Sequence, residues 1–291
     1  MKQINYEKLK GFIWLNGKFV SARNAKTHVL SHSLHFASAA FEGIRVYNKQ
    51  AFKLKEHIRR LFFSAKILDI KIPYNQNKVE IICNQLIKKQ KLYNGYIRPI
   101  VWRGGQSMAP AIIDAKINLA VAAWEWPVYY SKKAIQNGIS LTISKWKRPP
   151  SVCAPVHSKC SGLYMICTLA IHDARKKNFD DALMLDMENN ICETTSSNIF
   201  FIIKNTIVTP KADCFLNGIT RKTVIDICKK NKIKVLEKKL KLIDIKKADG
   251  CFVTGTAAEV TPVKKINGLV FKNKNKHLSL IQSRFKKLIH S

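Results

Sequence analysis

The chain has 291 residues, 51 of them Lys or Arg against 19 Asp or Glu, giving a formal net charge of +32, and 46% are hydrophobic. That hydrophobic share excludes a disordered basic tail, and the length suits one large or two medium domains with a sizeable core. The longest uncharged run, Thr27 to Phe41, carries three His and falls short of the ~18 residues a membrane span needs, and the opening MKQINYEKLK lacks a signal-peptide core. The expectation is a cytoplasmic globular protein with no membrane partner.

In chain order, Phe12–Leu15 and Lys18–Val20 flank Asn16-Gly17, a strong two-residue hairpin signal. Apolar residues at helical spacing, Ile58, Leu61, Phe62, Ala65 and Leu68, predict a helix ended by Pro73, and a second helix is expected from Lys78 to Lys91. Two buried strands follow, at Tyr96–Trp102 and Ile117–Trp124, completing a small α+β domain over 1–127. The pattern weakens over 128–138, read as an interdomain connection. The larger α/β domain, 139–291, is expected to hold a strand at Ile139–Trp146, a helix after Ser161, strands at Ala182–Asp186, Asn198–Ile203 and Thr206–Thr209, a helix at Thr220–Lys230, and strands at Ile233–Leu236 and Cys251–Thr254.

A charge of +32 would serve a nucleic-acid binder. The basic residues are instead spread along the whole chain, and where they thicken, at 229–247 and in the last thirty residues, they alternate with Ile, Leu and Val without interleaved stacking aromatics. No specific nucleic-acid partner is expected. The eight Cys form no CxxC pair and sit mostly in apolar stretches, which reads as reduced, buried thiols. The sevenfold spacing of Cys153, Cys160 and Cys167 matches no zinc site, so no metal is expected. His28, His32 and His35 could share a helix face, and they read as hydrogen-bonded structural histidines.

Across the 24 residues Pro149–His172 only Lys159 is charged, where the chain-wide 24% charged content would give about six. Desolvation there would favour the unprotonated amine that a Schiff-base lysine needs; a lysine snorkelling from an apolar helix fits the same pattern. A pyridoxal-phosphate enzyme also needs an anion cradle and an acid for the ring nitrogen. Asn217-Gly218-Ile219-Thr220, a glycine turn opening a helix, can hold an oxyanion or simply cap the helix. Gly255-Thr256-Ala257-Ala258 lets backbone approach a ligand closely. Glu193 sits between a turn and an apolar strand as candidate acid, with Asp186 and Glu188 as rivals at a solvent turn. Arg60 could offer a forked cation to the phosphate or be a surface arginine.

Together these segments resemble the class IV aminotransferases, most closely the branched-chain amino acid aminotransferases. The matching pieces are Ser31-His-Ser-Leu-His-Phe-Ala-Ser-Ala-Ala-Phe-Glu-Gly-Ile-Arg45, Glu56 to Leu61, Tyr96-Ile-Arg-Pro99, Lys159 with Tyr164, Glu193 to Phe200, Gly218-Ile-Thr-Arg221 and Gly255-Thr-Ala-Ala-Glu-Val-Thr-Pro262, in the family's order and over nearly the whole chain. The resemblance implies a two-domain, fold-type IV architecture like that of D-amino acid aminotransferase, with pyridoxal 5'-phosphate held covalently by Lys159. It implies that Glu193 meets the pyridine nitrogen, Tyr164 the ring hydroxyl, and Arg60, Gly218, Ile219, Thr220 and Thr256 the phosphate. For the substrate it implies a carboxylate site at Thr256, Ala257 and Ala258, a dual-use pair Tyr96 and Arg98, and an apolar wall of Phe41, Gly43, Trp126 and Tyr129. The implied reaction passes nitrogen from Leu, Ile or Val to 2-oxoglutarate in a homodimer or larger homo-oligomer whose site lies between domains.

Two departures bear on substrate choice. Phe36 stands where the family usually has Tyr, and Glu193-Thr-Thr-Ser-Ser-Asn198 is closer to the D-amino acid aminotransferase style. D-amino acid transamination and aminodeoxychorismate lyase chemistry are the same-fold alternatives, and a basic nucleic-acid-binding protein is the distant one.

Overall fold

A computed structural model describes residues 5–106, 109–111, 114–126, 129–272 and 275–290. Contacts divide the chain into two compact units, Met1–Pro127 with Ser158–Leu163, and Val128–His157 with Tyr164–Ser291. The short segment around Lys159 thus packs with the first unit, although it follows the second unit's first strand.

In the first unit the chain forms β1 (Phe12–Leu15), β2 (Lys18–Ser21), α1 (His32–Phe36), β3 (Ala39–Phe41), β4 (Ile44–Tyr47), β5 (Gln50–Ala51), α2 (Leu54–Ile67), α3 (Gln76–Lys89), β6 (Gly95–Arg103) and β7 (Ile117–Glu125). The strands make an antiparallel sheet in the order β2-β1-β7-β6-β4-β5, with β3 also paired to β6. Asn16 and Gly17 both take positive φ, 45° and 102°, as the tight β1–β2 turn requires. Helix α2 buries Ile58, Leu61 and Ala65, and α3 buries Val79, Ile82, Cys83 and Leu86; both stripes join Ile44, Val46, Ile97, Val101, Leu119 and Val121 in one core.

The second unit contains α4 (Lys132–Asn137), β8 (Ile139–Lys147), α5 (Tyr164–Lys176), β9 (Asp181–Leu185), β10 (Ile191–Thr194), β11 (Asn198–Ile203), β12 (Thr206–Thr209), α6 (Ile219–Lys230), β13 (Val235–Glu237), β14 (Gly250–Gly255), β15 (Glu259–Ile266), β16 (Leu269–Val270) and α7 (Lys276–His290). Its sheet runs β10-β9-β8-β15-β14-β11-β12-β13, with β16 on β15. Strand β10 also pairs with β11 through Glu193 and Asn198, so six strands, β10-β9-β8-β15-β14-β11, close into a ring at that residue pair. From its strands Leu141, Leu183, Ile199, Phe201, Val253 and Val263 share a core. Among the described residues no helix is long and apolar enough to cross a membrane.

Several local expectations change. The 128–138 connection holds the helix α4, capped by Ser131 Oγ, which accepts from the Ala134 N–H. Strand β15 escapes a hydropathy reading because Pro262, Lys264 and Lys265 interrupt its apolar residues. Of the three histidines, only His32 and His35 are in α1; His32 Nδ1 lies 2.7 Å from Ser38 Oγ, a structural bond, while His28 precedes the helix. All eight cysteines are unbridged, but Cys153 is exposed and Cys214 only half-buried, since both lie in loops.

The Phe200 and Phe252 rings stack in parallel with centroids 5.0 Å apart, and both side chains are fully buried. Phe252→Ala is expected to cost about 3–5 kcal/mol, the usual range for emptying an aromatic core site. Denaturant unfolding followed by circular dichroism checks this; an unchanged midpoint would contradict the packing described.

Candidate active site

In the first unit, Lys159 is fixed through its own backbone. Its N–H donates to Ser64 Oγ on α2 at 2.9 Å, and its carbonyl accepts from the Phe41 N–H on β3 at 3.1 Å. Ser158 Oγ adds a bond to the Ser64 carbonyl at 3.0 Å, and Cys160 bridges to Ala40. The amine lies 5.0 Å from the centre of the Phe41 ring. Burial, reinforced by the Arg60 guanidinium and partly offset by Glu42, lowers its pKa from 10.5 to about 8. An ordinary surface lysine would hold its proton well beyond pH 9; this one does not.

Glu42, wholly buried, follows β3 and anchors the surroundings. Arg60 grips it with Nε at 2.5 Å and Nη2 at 2.9 Å, and His57 Nδ1 lies 2.7 Å from the same carboxylate. His57 and Arg60, one turn apart on α2, therefore converge on one acid. Burial opposes ionisation of Glu42, yet Arg60 and His57 together hold its carboxyl well below the usual range. Burial in turn outweighs Glu42 at His57 and pushes that imidazole toward neutrality.

Around this core Gly43 leaves room for the Tyr96 hydroxyl, since a Cβ there would overlap it. Arg98 lies over the Phe41 and Tyr96 rings at 4.8 and 5.4 Å, and its Nε is buried without a hydrogen-bond partner among the described residues. The Trp126 ring meets Tyr96 edge-on at 4.3 Å. Lys159, Phe41, Gly43, Arg60, Tyr96, Arg98 and Trp126 are thus neighbours in one aromatic and cationic cluster, and Arg60 is an ion-paired residue rather than a surface one.

In the second unit Glu193 sits at the ring closure. Its Oε2 accepts from Asn198 Nδ2 at 3.2 Å and its Oε1 lies 3.6 Å from Arg148 Nε. Asn198 also reaches the loop before α6, donating to the Leu216 carbonyl at 3.0 Å and accepting from the Gly218 N–H at 3.2 Å. Gly218 is required there because a Cβ would strike Asn198 Oδ1. Ile219 and Thr220 then open α6, whose first N–H groups have no partners within the helix and carry the positive end of its dipole.

Thr256, Ala257 and Ala258 form the turn between β14 and β15, held by the Thr261 hydroxyl donating to the Ala258 carbonyl at 2.6 Å. Gly255 lies against Ser197, and the buried Thr254 hydroxyl has no partner among the described residues. Asn198 pairs with Thr254 in the sheet, so the acid, the helix start and this turn gather at one end of the ring. Tyr164 is half-buried at the first residue of α5. Tyr129, also half-buried, packs edge-on against Tyr130 at 4.8 Å. The rivals Asp186 and Glu188 stay in their turn, where Asp186 accepts from the Glu188 and Asn190 N–H groups.

The residues that position these groups, Glu42, His57, Ser64, Arg148 and Asn198, are absent from the sequence-based site. Glu42 was visible only as part of a motif, and Arg148 hides in the basic run Lys145-Trp-Lys-Arg148. Removing Glu42 leaves two buried nitrogen groups facing each other, so Glu42→Ala is expected to cost about 3–5 kcal/mol of stability, whereas Arg59→Ala on the exposed face of the same helix stays within about 0.5 kcal/mol. The contribution of the pair is complete above the ordinary carboxylate pKa of 4.5 and fades as acid is added, because the folded chain keeps Glu42 ionised to lower pH. Denaturant titrations of both variants at neutral and acid pH read these outcomes.

The profile of the amino-transferase class IV family matches residues 39–266. The probable branched-chain-amino-acid aminotransferase of Rickettsia felis is 39% identical over 267 residues, covering 92% of this chain and 91% of that protein. The crystal structure of Escherichia coli branched-chain amino acid aminotransferase matches with a TM-score of 0.93 at 31% identity, covering 97% of this chain and 95% of that one. The T.th. branched-chain amino acid aminotransferase, solved with pyridoxamine 5'-phosphate, gives 0.93 at 34% identity, covering 97% and 94%. The matched span takes in both the Lys159 cluster and the Glu193 end of the ring, and the chain belongs to the class IV aminotransferase family.

Proposed function

We propose that the chain is a pyridoxal-phosphate-dependent aminotransferase that moves nitrogen from Leu, Ile or Val to 2-oxoglutarate, giving branched-chain 2-oxo acids and L-glutamate. The observation that carries this reading is the Lys159 amine, held by backbone bonds to two elements and brought to a pKa of about 8.

The residues present fit the cofactor by their chemistry. Glu193, set between Arg148 and Asn198, offers a carboxylate to a protonated ring nitrogen. Gly218, Ile219 and Thr220 offer N–H groups and a hydroxyl to a phosphate, joined by Thr256 and by Arg60, whose guanidinium is steadied by Glu42. Tyr164 is assigned to the ring hydroxyl. When bound, pyridoxal phosphate supplies an electron-withdrawing ring that stabilises negative charge at the substrate α-carbon.

The protein's own part is orientation and proton movement. Lys159 Nζ, unprotonated once the pH passes about 8, accepts the proton from the substrate α-carbon as a general base. The Thr256-Ala257-Ala258 turn receives the substrate carboxylate. Phe41, Gly43, Trp126 and Tyr129 provide apolar wall for a branched side chain, while Arg98, lying over aromatic rings, can meet the second carboxylate of glutamate. Tyr96, wedged above Gly43, keeps these two uses side by side. On the same reading, the chain acts as a homodimer or larger homo-oligomer in the cytoplasm.

Purified protein loaded with pyridoxal phosphate should show a visible absorption band that Lys159→Ala abolishes, with activity falling by at least about 10²–10⁴-fold. L-Leucine should bleach the band and D-alanine should not; bleaching by D-alanine alone would overturn the branched-chain L-amino acid assignment.

A further inference from the structure

We propose that Cys192 and Cys214 are a disulfide-forming pair that peroxide closes, and that the bond impairs the end of the ring carrying Glu193 and Gly218. Their sulfurs stand 3.2 Å apart, nearer than two sulfurs in ordinary contact, although the residues are 22 apart in the chain. Cys192 is buried in β10, immediately before Glu193, and Cys214 is half-buried in the loop that leads to α6. A cleft of about 190 Å³ reaches the pair, bordered by Pro150, Met187, Lys211 and Lys239, so a small oxidant can enter.

Asp186 also lies within 4.8 Å of both sulfurs, which raises the question of a metal ion. Its carboxylate is already committed: Oδ1 accepts from the Glu188 N–H at 2.9 Å and the Asn190 N–H at 2.7 Å, and Oδ2 from Asn190 Nδ2 at 2.8 Å. The acid is spent on its own turn, so what remains is a dithiol. The two thiols are also unequal. The hydrogen bond between the two sulfurs holds the Cys214 pKa down and that of Cys192 up, and Cys214 is also the less buried, which suits Cys214 as the attacking sulfur and Cys192 as the resolving one.

With hydrogen peroxide as oxidant, the Cys214 thiolate attacks one oxygen; an S–O bond forms, the O–O bond breaks, and hydroxide leaves to be protonated to water. The Cys192 sulfur then attacks the sulfenic sulfur; the S–S bond forms, the S–O bond breaks, and the departing hydroxide takes the Cys192 proton as a second water. Two thiols and one peroxide give one disulfide and two waters, two electrons passing from sulfur to oxygen.

The consequence rests on the reading of Glu193 and Gly218 as cofactor-holding residues. Arg148 Nε donates to the Cys214 carbonyl at 3.4 Å and also lies beside Glu193, and Asn198 joins Glu193 to Leu216 and Gly218. Bond formation closes the sulfur gap by about 1 Å, and either β10 or the Cys214 loop must move against those links.

The test treats the cofactor-loaded enzyme with hydrogen peroxide, digests it without reductant and reads the peptides by mass spectrometry beside an activity assay. The expected result is a Cys192–Cys214 linked peptide lacking two hydrogens, a several-fold loss of activity and cofactor retention, and recovery with dithiothreitol. Cys214→Ser, and independently Cys192→Ala, should keep untreated activity and resist peroxide. Absence of the linked peptide, or a linked enzyme with unchanged activity and cofactor retention, overturns the proposal. So does stoichiometric zinc binding that depends on Asp186 and protects both thiols. An untreated protein with neither absorption band nor activity would instead count against the proposed function, while the peptide measurement would still decide whether the disulfide forms.

Discussion

The first unit is organised around the cost of removing positive charge from water. Lys159 and Arg60 lie near the wholly buried Glu42, and one carboxylate cannot fully satisfy two cations and an imidazole. Arg60 keeps its charge at any accessible pH and takes Glu42 in a forked pair. The adjustable partner is the lysine, which relieves the conflict by releasing its proton. A reactive amine at near-neutral pH thus follows from placing a guanidinium close to a desolvated ammonium, and α2 sets that spacing by supplying His57, Arg60 and Ser64 from a single helix.

The second unit solves a different problem, aiming a buried carboxylate. Glu193 occupies the closure of a six-strand ring, where β10 has paired with both β9 and β11. Arg148 supplies the compensating charge and Asn198 a hydrogen bond, and Asn198 passes the position on to the loop that begins α6. The acid and the helix start are registered to one another by a single amide side chain. The Cys192–Cys214 contact borders the same links, so a change of redox state there acts on residues that already set the geometry.

The sequence made Lys159 visible because it is the lone charge in a long uncharged run, a pattern that survives whatever the fold does. Helices α2 and α3 were legible from their apolar stripes, and the β1–β2 hairpin from Asn16-Gly17. The short strands β3, β4 and β5 were not, since β3 and β4 are stabilised by β6, distant in sequence, and β5 is two residues long and pairs with β4. Arg60 could be read from the sequence as a phosphate-binding cation or a surface arginine but not decided between them, because its decisive partner, Glu42, is 18 residues away and a lone acid beside Gly43 announces nothing. Ser64 and Asn198 act through hydrogen bonds that no periodicity encodes, and Arg148 is masked by a basic coat of +32 in which one further arginine looks ordinary.

The central claim is that burial beside Arg60 makes the Lys159 amine basic only to about pH 8. Titration of that one amine in the cofactor-stripped chain, followed by carbon NMR of methyl-labelled lysines with Lys159→Arg to assign the signal, tests it most directly. The account predicts a midpoint near 8, distinct from the bulk of the chain's lysines; a Lys159 signal that titrates with them, at the ordinary 10.5, would contradict it.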